Sequence, residues 1–236
     1  MIFPSLDRVK AIAPGYDIVP VYMEILSDVR TPISVLKALK QVSSHTYLLE
    51  SADNSNHWGR YSFLGYDPKI ELFCKNHKMT IKDGTTRTFE CSDPAAEIRN
   101  VLRQYKSPRL EELPTFTGGF VGYFACEYIR YIEPTLDFPT PDDDSAMVND
   151  VDLMLFDKVI AFDHYKNKIY LIANISTNDL ERNYNKAELE LKALADLVVN
   201  GKEADIPKGI LKTEFTSEFT KDEFEAVVKK TQHYIK

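Results

Sequence analysis

Three side chains that could hold a free amino acid lie close together in the sequence. Glu50 and Ser51 follow the apolar run Tyr47-Leu48-Leu49, and Arg60 comes shortly afterwards. A free amino acid carries an ammonium and a carboxylate, so its pocket needs acceptors such as Glu50 or Ser51 and a cation such as Arg60. The residue types alone favour a more ordinary interpretation, in which Glu50 and Ser51 begin a polar turn and Arg60 pairs on the surface.

A glycine-rich segment, Gly118-Gly119-Phe120-Val121-Gly122-Tyr123-Phe124, is the second stretch that could serve a site. Glycine within a strand marks a bulge or a close approach of two backbones. Direct contact with a ligand is the alternative, and a packing role is favoured over it.

Motifs for catalysis or metal binding are missing from the sequence. It contains no GxGxxG, no phosphate-binding loop of the Walker type, no HExxH and no GxSxG. Cys74, Cys91 and Cys126 are far apart and do not have metal-ligand spacing, which is typical of reduced thiols in a cytoplasmic protein. We therefore nominate no catalytic residue and no metal ligand.

Composition narrows the class of protein. With 36 acidic against 29 basic side chains and a pI near 5.3, the surface would repel phosphate backbones and anionic lipid. No apolar stretch approaches membrane-spanning length, and the N-terminus lacks the features of a signal peptide. We expect a cytoplasmic protein with no nucleic-acid or membrane partner.

The elements that would position these residues are mainly strands. After an irregular opening, Thr31-Pro32 and Asp93-Pro94 each predict the start of a helix, and a third helix is predicted from near Thr177 to Asn200-Gly201. Apolar and branched runs predict strands at 46–50, 61–66, 69–74, 78–82 and 116–133, and a long hairpin at 153–162 and 168–175. Asp83-Gly84 predicts a hairpin turn. The fold class predicted is α+β, a mainly antiparallel sheet with helices packed outside it.

The end of the sequence predicts one more helix. Thr220 and Glu223 form a capping box, with Phe219 and Phe224 at the positions of a hydrophobic staple. The apolar side of this helix continues to Ile235 without a stop signal. We expect residues 1–215 to be one domain and residues 216–236 to be the first helix of a second domain that is cut off.

Five motifs, in order, resemble the N-terminal region of anthranilate synthase component I. They are Val19-Pro20-Val21-Tyr22 with Thr31-Pro32; Leu48-Leu49-Glu50-Ser51; Trp58-Gly59-Arg60-Tyr61-Ser62-Phe63-Leu64-Gly65; the glycine-rich segment with Arg130-Tyr131-Ile132-Glu133; and Leu155-Phe156-Asp157 with Phe162-Asp163-His164. The resemblance covers essentially the whole chain, and it implies that family's N-terminal fold.

The resemblance also implies a function. Members of that family convert chorismate and ammonia to anthranilate and pyruvate with Mg²⁺, receive the ammonia from a glutamine amidotransferase subunit (component II), and are inhibited by L-tryptophan. Residues Leu49, Glu50, Ser51 and Arg60 match the positions that contact the inhibitor. Chorismate and magnesium would be bound by the half that is not present, so the segment itself is expected to be inactive and to have no cofactor.

Two alternatives stay open. One is component I of aminodeoxychorismate synthase, which shares the architecture. The other is a non-catalytic amino-acid-binding module whose last helix is a true terminus.

Overall fold

The computed structural model of the chain describes residues 1–28, 30–51, 59–133, 135, 148–207 and 209–235. They form two compact units, Met1–Ala204 and Asp205–Lys236. Trp58 and the acidic run at 142–144 lie outside the described residues. The assignment of residues 1–215 and 216–236 to two functional domains stays a prediction.

The first unit contains two five-stranded antiparallel sheets. Sheet A is built from β1 (Ile18–Leu26), β2 (Thr46–Leu49), β3 (Tyr61–Tyr66), β9 (Lys158–Asp163) and β10 (Lys168–Ser176), in the order β1-β10-β9-β3-β2. Sheet B is built from β4 (Ile70–Lys75), β5 (Lys78–Lys82), β6 (Thr86–Glu90), β7 (Gly119–Phe124) and β8 (Val151–Phe156), in the order β6-β5-β4-β8-β7.

Helices cover one face of each sheet. Helices α1 (Leu6–Ile12), α2 (Pro32–Leu39) and α5 (Leu180–Asn200) share a core with sheet A, in which Val9, Leu39, Leu191, Leu64 and Ile160 are buried. Helix α3 (Pro94–Leu102) buries Ile98 and Val101 in the core of sheet B. The predicted α+β class with antiparallel sheets and outer helices is confirmed.

Local signals placed several elements correctly. The Thr31 hydroxyl accepts a hydrogen bond from the Ser34 backbone N–H at 3.2 Å, and the Asp93 carboxylate accepts one from the Ala96 N–H at 2.9 Å. Each cap satisfies an N–H that the first turn of a helix leaves without a partner. Gly84, in the predicted turn between β5 and β6, has a φ of 92°, which glycine adopts without steric cost.

Three predictions about elements were wrong. The opening is not irregular, because it forms α1 and β1. Pro20, which lacks an N–H, is accommodated in β1 because β1 is an edge strand. Only Gly119–Phe124 of the segment 116–133 is a strand. It is followed by a 3₁₀ turn (Cys126–Tyr128) and α4 (Ile129–Ile132). The apolar run 153–162 is two strands in different sheets, separated by Asp157.

Asp157 marks a place where the chain passes from one sheet to the other. Phe156 pairs with Gly119 in sheet B, whereas Lys158 pairs with Ala173 in sheet A. Strands β3 and β4 pass between the same two sheets through residues 67–69, and β3 pairs with β9 just as β4 pairs with β8. A two-stranded ribbon therefore runs through both sheets.

The second unit contains α6 (Lys221–Ile235). Its predicted capping box is confirmed, because the Thr220 N–H donates to the Glu223 carboxylate at 2.8 Å and the Glu223 N–H donates to the Thr220 hydroxyl at 3.4 Å. Across the described residues, no helix has both the length and the apolar character needed to cross a bilayer.

Candidate functional site

The predicted site residues lie at one end of sheet A. Leu49 is the last residue of β2, and Glu50 and Ser51 follow it as exposed residues. Arg60 directly precedes β3, whose Tyr61 pairs with Asp163 at the end of β9. The backbone N–H of His164 donates to the Arg60 carbonyl at 2.9 Å, which extends this pairing by one step. We name the polar residues at this end, Glu50, Ser51, Arg60, Ser62, Asp163 and His164, the strand-end cluster.

Glu50 is held by a residue that sequence reasoning did not select. The Ser62 hydroxyl lies 3.2 Å from Glu50 Oε1 and 2.7 Å from His164 Nε2. The Ser62 side chain is buried, whereas Glu50 and His164 are exposed. The Glu50 carboxylate, which could accept a ligand's ammonium, is therefore held by the buried Ser62 hydroxyl and is otherwise open to solvent.

Arg60 is bound mainly by Asp163. Its Nε and Nη2 donate to the two carboxylate oxygens at 3.1 Å and 2.7 Å, and the guanidinium lies over the rings of Tyr61 and Tyr165. The hydrogen bond to Asp163 raises the pKa of Arg60 further. A ligand carboxylate would have to share this guanidinium with Asp163, so the predicted role of Arg60 is more indirect than its residue type suggests.

Asp163 is fully buried and has several donors. Besides Arg60, the backbone N–H groups of Tyr165 and Lys166 donate to it at 3.1 Å and 3.0 Å. Burial alone would raise the pKa of Asp163, but the hydrogen bonds from Arg60 and the two N–H groups outweigh it and lower the pKa. This carboxylate fixes both the guanidinium and the hairpin turn between β9 and β10.

The four predicted residues do not all face the same way. Leu49 pairs with Phe63, whose ring contacts Phe116 on the side of sheet A away from α2 and α5. Glu50 reaches Ser62, which by the alternation of a strand shares a side with Leu64 of the helix-covered core. The structure thus brings Glu50 and Arg60 to one sheet end but gives them different partners.

The partners that were missed carried only a weak signal. Ser62, Asp163 and His164 stand inside motifs that supported the resemblance, and none was selected as a site residue. Ser62 and the buried Leu64 are two positions apart in a strand and so share a face. A polar side chain on that face indicates a hydroxyl that needs a hydrogen-bond partner.

The glycine-rich segment is explained by packing. A side chain at Gly122 would overlap the Asp152 carbonyl of the neighbouring strand, and one at Gly118 would come within 2.9 Å of the Phe156 carbonyl. Gly119 has a φ of 142°, which other residues rarely adopt. The favoured interpretation, a close approach of two backbones, fits this geometry.

Two cavities lie at the opposite end of β9. One of about 210 Å³ is lined by residues that include Lys69, Asp157, Lys186 and Glu190, and one of about 100 Å³ also reaches Asp157. Burial raises the pKa of the Asp157 carboxyl, with Lys158 and Lys69 opposing that effect. The strand-end cluster lines neither of these two cavities.

The described residues do not fit a metal ion. Within them, no group of three or more His, Cys, Asp or Glu side chains is arranged to hold one. Nothing in the described part of the chain therefore corresponds to the magnesium that the resemblance implies, and no chemical step is assigned to it.

Comparison with known proteins gives a consistent result. The chain is 33% identical over 246 residues to anthranilate synthase component 1 of Acetivibrio thermocellus, with 100% of this chain and 49% of the relative covered. It is 38% identical over 189 residues to the same protein of Acinetobacter calcoaceticus, with 78% of this chain and 37% of the relative covered. The chain spans at most about half the length of these relatives.

A solved structure of anthranilate synthase component I from Streptococcus pneumoniae TIGR4 is also similar. It has 26% sequence identity and a TM-score of 0.43, with 71% of this chain and 36% of the solved chain covered. The predicted resemblance to anthranilate synthase component I is confirmed by the sequence relatives. A family model described as chorismate binding enzyme matches residues 45–236, and this chain therefore belongs to the family of chorismate-binding enzymes.

Proposed function

We propose that this chain is the tryptophan-responsive part of an anthranilate synthase component I. The complete protein would convert chorismate and ammonia to anthranilate and pyruvate, with an amidotransferase component as the source of ammonia. Membership of the chorismate-binding family and the two relatives of that name support the parent activity. On its own, this segment would not turn over chorismate.

One observation carries the regulatory part of the proposal, the anchored Glu50 carboxylate at the end of β2. An ammonium bound to a carboxylate gains a charge-assisted hydrogen bond, which is stronger when the acceptor is already oriented. Ser62 supplies that orientation from the sheet, and Ser51 offers a hydroxyl at the adjacent position. Leu49 is half-exposed but faces the other side of sheet A from Glu50, and its contact with the inhibitor stays a prediction.

Inhibition requires more than binding. A ligand shifts an equilibrium between two arrangements of a protein only by the difference in its affinity for them. We propose that tryptophan binds better to the arrangement of the complete protein that is less active, and that the strand-end cluster is where this difference arises.

The test uses the complete gene product that contains this chain. Anthranilate formation from chorismate, ammonia and Mg²⁺ is followed by fluorescence during a titration with L-tryptophan, for wild type and Ser51→Phe. A ring at position 51 would occupy the space of the ligand's polar end. We expect the half-inhibitory tryptophan concentration to rise by at least about tenfold, with turnover changed far less.

Ser92→Phe is the matched control, because it adds the same ring at an exposed serine beside α3. It should be inhibited like wild type. Equal inhibition curves for wild type and Ser51→Phe would contradict the regulatory proposal. Aminodeoxychorismate as the product, or no turnover of chorismate, would contradict the parent activity.

A further inference from the structure

The Ser62 hydroxyl has two polar neighbours but only one proton to donate. Glu50 Oε1, at 3.2 Å, is a carboxylate oxygen and can only accept a hydrogen bond. His164 Nε2, at 2.7 Å, donates or accepts according to where the imidazole carries its proton. If Ser62 donated to His164, its own oxygen would face the Glu50 carboxylate without a hydrogen between them.

Only one arrangement satisfies both contacts. His164 Nε2–H donates to Ser62 Oγ, and Ser62 Oγ–H donates to Glu50 Oε1. Both the neutral imidazole with its proton on Nε2 and the imidazolium provide this donor, so the chain of bonds depends on the tautomer and not on a change of charge. Hydrogen bonds in such a chain polarise and strengthen one another.

The backbone and one ring hold His164 in the orientation that this needs. Its N–H donates to the Arg60 carbonyl, and its imidazole stacks on the Phe162 ring with centroids 6.4 Å apart and an angle of 23° between the planes. The Ser62 side chain is only 1% exposed, so water has little access to replace either partner. A buried hydroxyl is costly unless it is bonded.

We propose that Ser62 and His164 are positioning residues, which hold the Glu50 carboxylate in the orientation that accepts the ammonium of the amino-acid inhibitor. This inference rests on the proposed function, because it assigns an orienting device to the same inhibitor site. Neither residue contacts the ligand. They act by reducing the conformational freedom that Glu50, an exposed side chain, would otherwise lose on binding.

The experiment compares three variants of the complete enzyme by inhibition and by calorimetric binding of L-tryptophan. Ser62→Ala removes the central hydroxyl, and His164→Leu removes the donor. We expect each to raise the half-inhibitory concentration by about tenfold, as for the loss of a hydrogen bond to a charged group. His164→Gln provides an amide N–H at the position of Nε2, so its inhibition should stay within about twofold of wild type.

The control is Thr80→Val, which removes the 3.1 Å hydrogen bond between the Thr80 and Thr88 hydroxyls in sheet B. Its inhibition and its uninhibited turnover should match wild type. Equal losses in His164→Gln and His164→Leu, or unchanged inhibition in Ser62→Ala, would overturn the positioning role.

A second measurement is independent of tryptophan. In ¹⁵N-histidine-labelled enzyme, the His164 resonances, identified by their loss in His164→Gln, should report a protonated Nε2. A neutral ring protonated only at Nδ1 would overturn the inference even if tryptophan inhibits. If tryptophan does not inhibit the wild-type enzyme while Nε2 carries the proton, the proposed function fails and the chain of bonds remains.

Discussion

An aspartate stands at each end of β9, Asp163 fully buried and Asp157 partly buried, and the two carboxylates are in opposite electrostatic situations. Asp163, at the end of β9, is bound by Arg60 and two backbone N–H groups, and its pKa is lowered. Asp157, just before β9, lines two cavities, and burial raises its pKa. Among the described residues, Asp157 forms no side-chain hydrogen bond comparable to those of Asp163.

The difference shows that burial alone does not determine what a carboxylate contributes. Good donors offset the desolvation cost of a buried charge, and the same charge without them costs free energy. These two cavities lie at the end where the charge is poorly compensated, whereas the proposed ligand site lies at the end where Glu50 and Asp163 each have a partner. Neither of these two cavities therefore marks the proposed inhibitor site.

The largest effect is expected for Asp163→Ala. It leaves Arg60 without its carboxylate and two N–H groups of the turn without an acceptor, so the unfolding free energy should fall by about 3 kcal/mol, typical of breaking a buried pair. Urea denaturation of the complete protein measures this. Asp83→Ala, which breaks an exposed pair with Arg87, is the matched control and should leave the unfolding free energy nearly unchanged. Similar losses of unfolding free energy in Asp163→Ala and Asp83→Ala would contradict the larger role assigned to the buried carboxylate.

A smaller effect of opposite sign is expected for Asp157→Asn. The amide keeps the shape of the side chain and removes the poorly compensated charge, so the unfolding free energy at pH 7 should rise, by on the order of 1 kcal/mol. The same denaturation experiment measures it. A decrease would mean that Lys69 and Lys158 compensate Asp157 as fully as Arg60 compensates Asp163.

The smallest effect concerns the pH dependence of the unfolding free energy that Asp157→Asn gains. A carboxyl whose pKa is raised in the folded state destabilises the protein above that pKa, and the penalty disappears below the unfolded-state pKa, about 3.9 for aspartate. The advantage of Asp157→Asn over wild type should therefore shrink as the pH falls towards about 4. Asp163, whose pKa is lowered, contributes stability that is lost only as the pH falls further. A constant difference between Asp157→Asn and wild type from pH 7 to pH 4 would contradict this assignment.

Much of the fold could be predicted because its signals are local. The caps at Thr31 and Asp93, the turn at Gly84 and the box at Thr220 each depend on residues a few positions apart. The break at Asp157 could not be predicted, because an apolar run on both sides looks the same whether the strands share a sheet or change sheets. Pairing with Gly119 on one side and Ala173 on the other is a property of the whole chain.

The site was predicted in part for the same reason. Glu50, Ser51 and Arg60 are neighbours in sequence, and the resemblance selected them together. Arg60 is bound by Asp163 at the end of β9, and Glu50 is bound by Ser62, which also contacts His164 directly after β9; the contacts of Arg60 with Asp163 and of Ser62 with His164 each span more than 100 positions. Only the register of β3 against β9 brings them together. The roles of Leu49, Glu50, Ser51 and Arg60 towards tryptophan stay predictions.

The ribbon that passes through both sheets restricts how they can move. Because β3 continues into β4 and β8 into β9 at adjacent places, sliding of one sheet over the other would stretch two short tethers at once. Rotation of one sheet about the line through those tethers would leave both at their present length. Strand β9 is roughly 20 Å long, from its six residues at about 3.3 Å each, and it runs from the connection at Asp157 to the strand-end cluster. Such a rotation would displace Glu50, which lies near the Asp163 end of β9, further than it displaces Asp157.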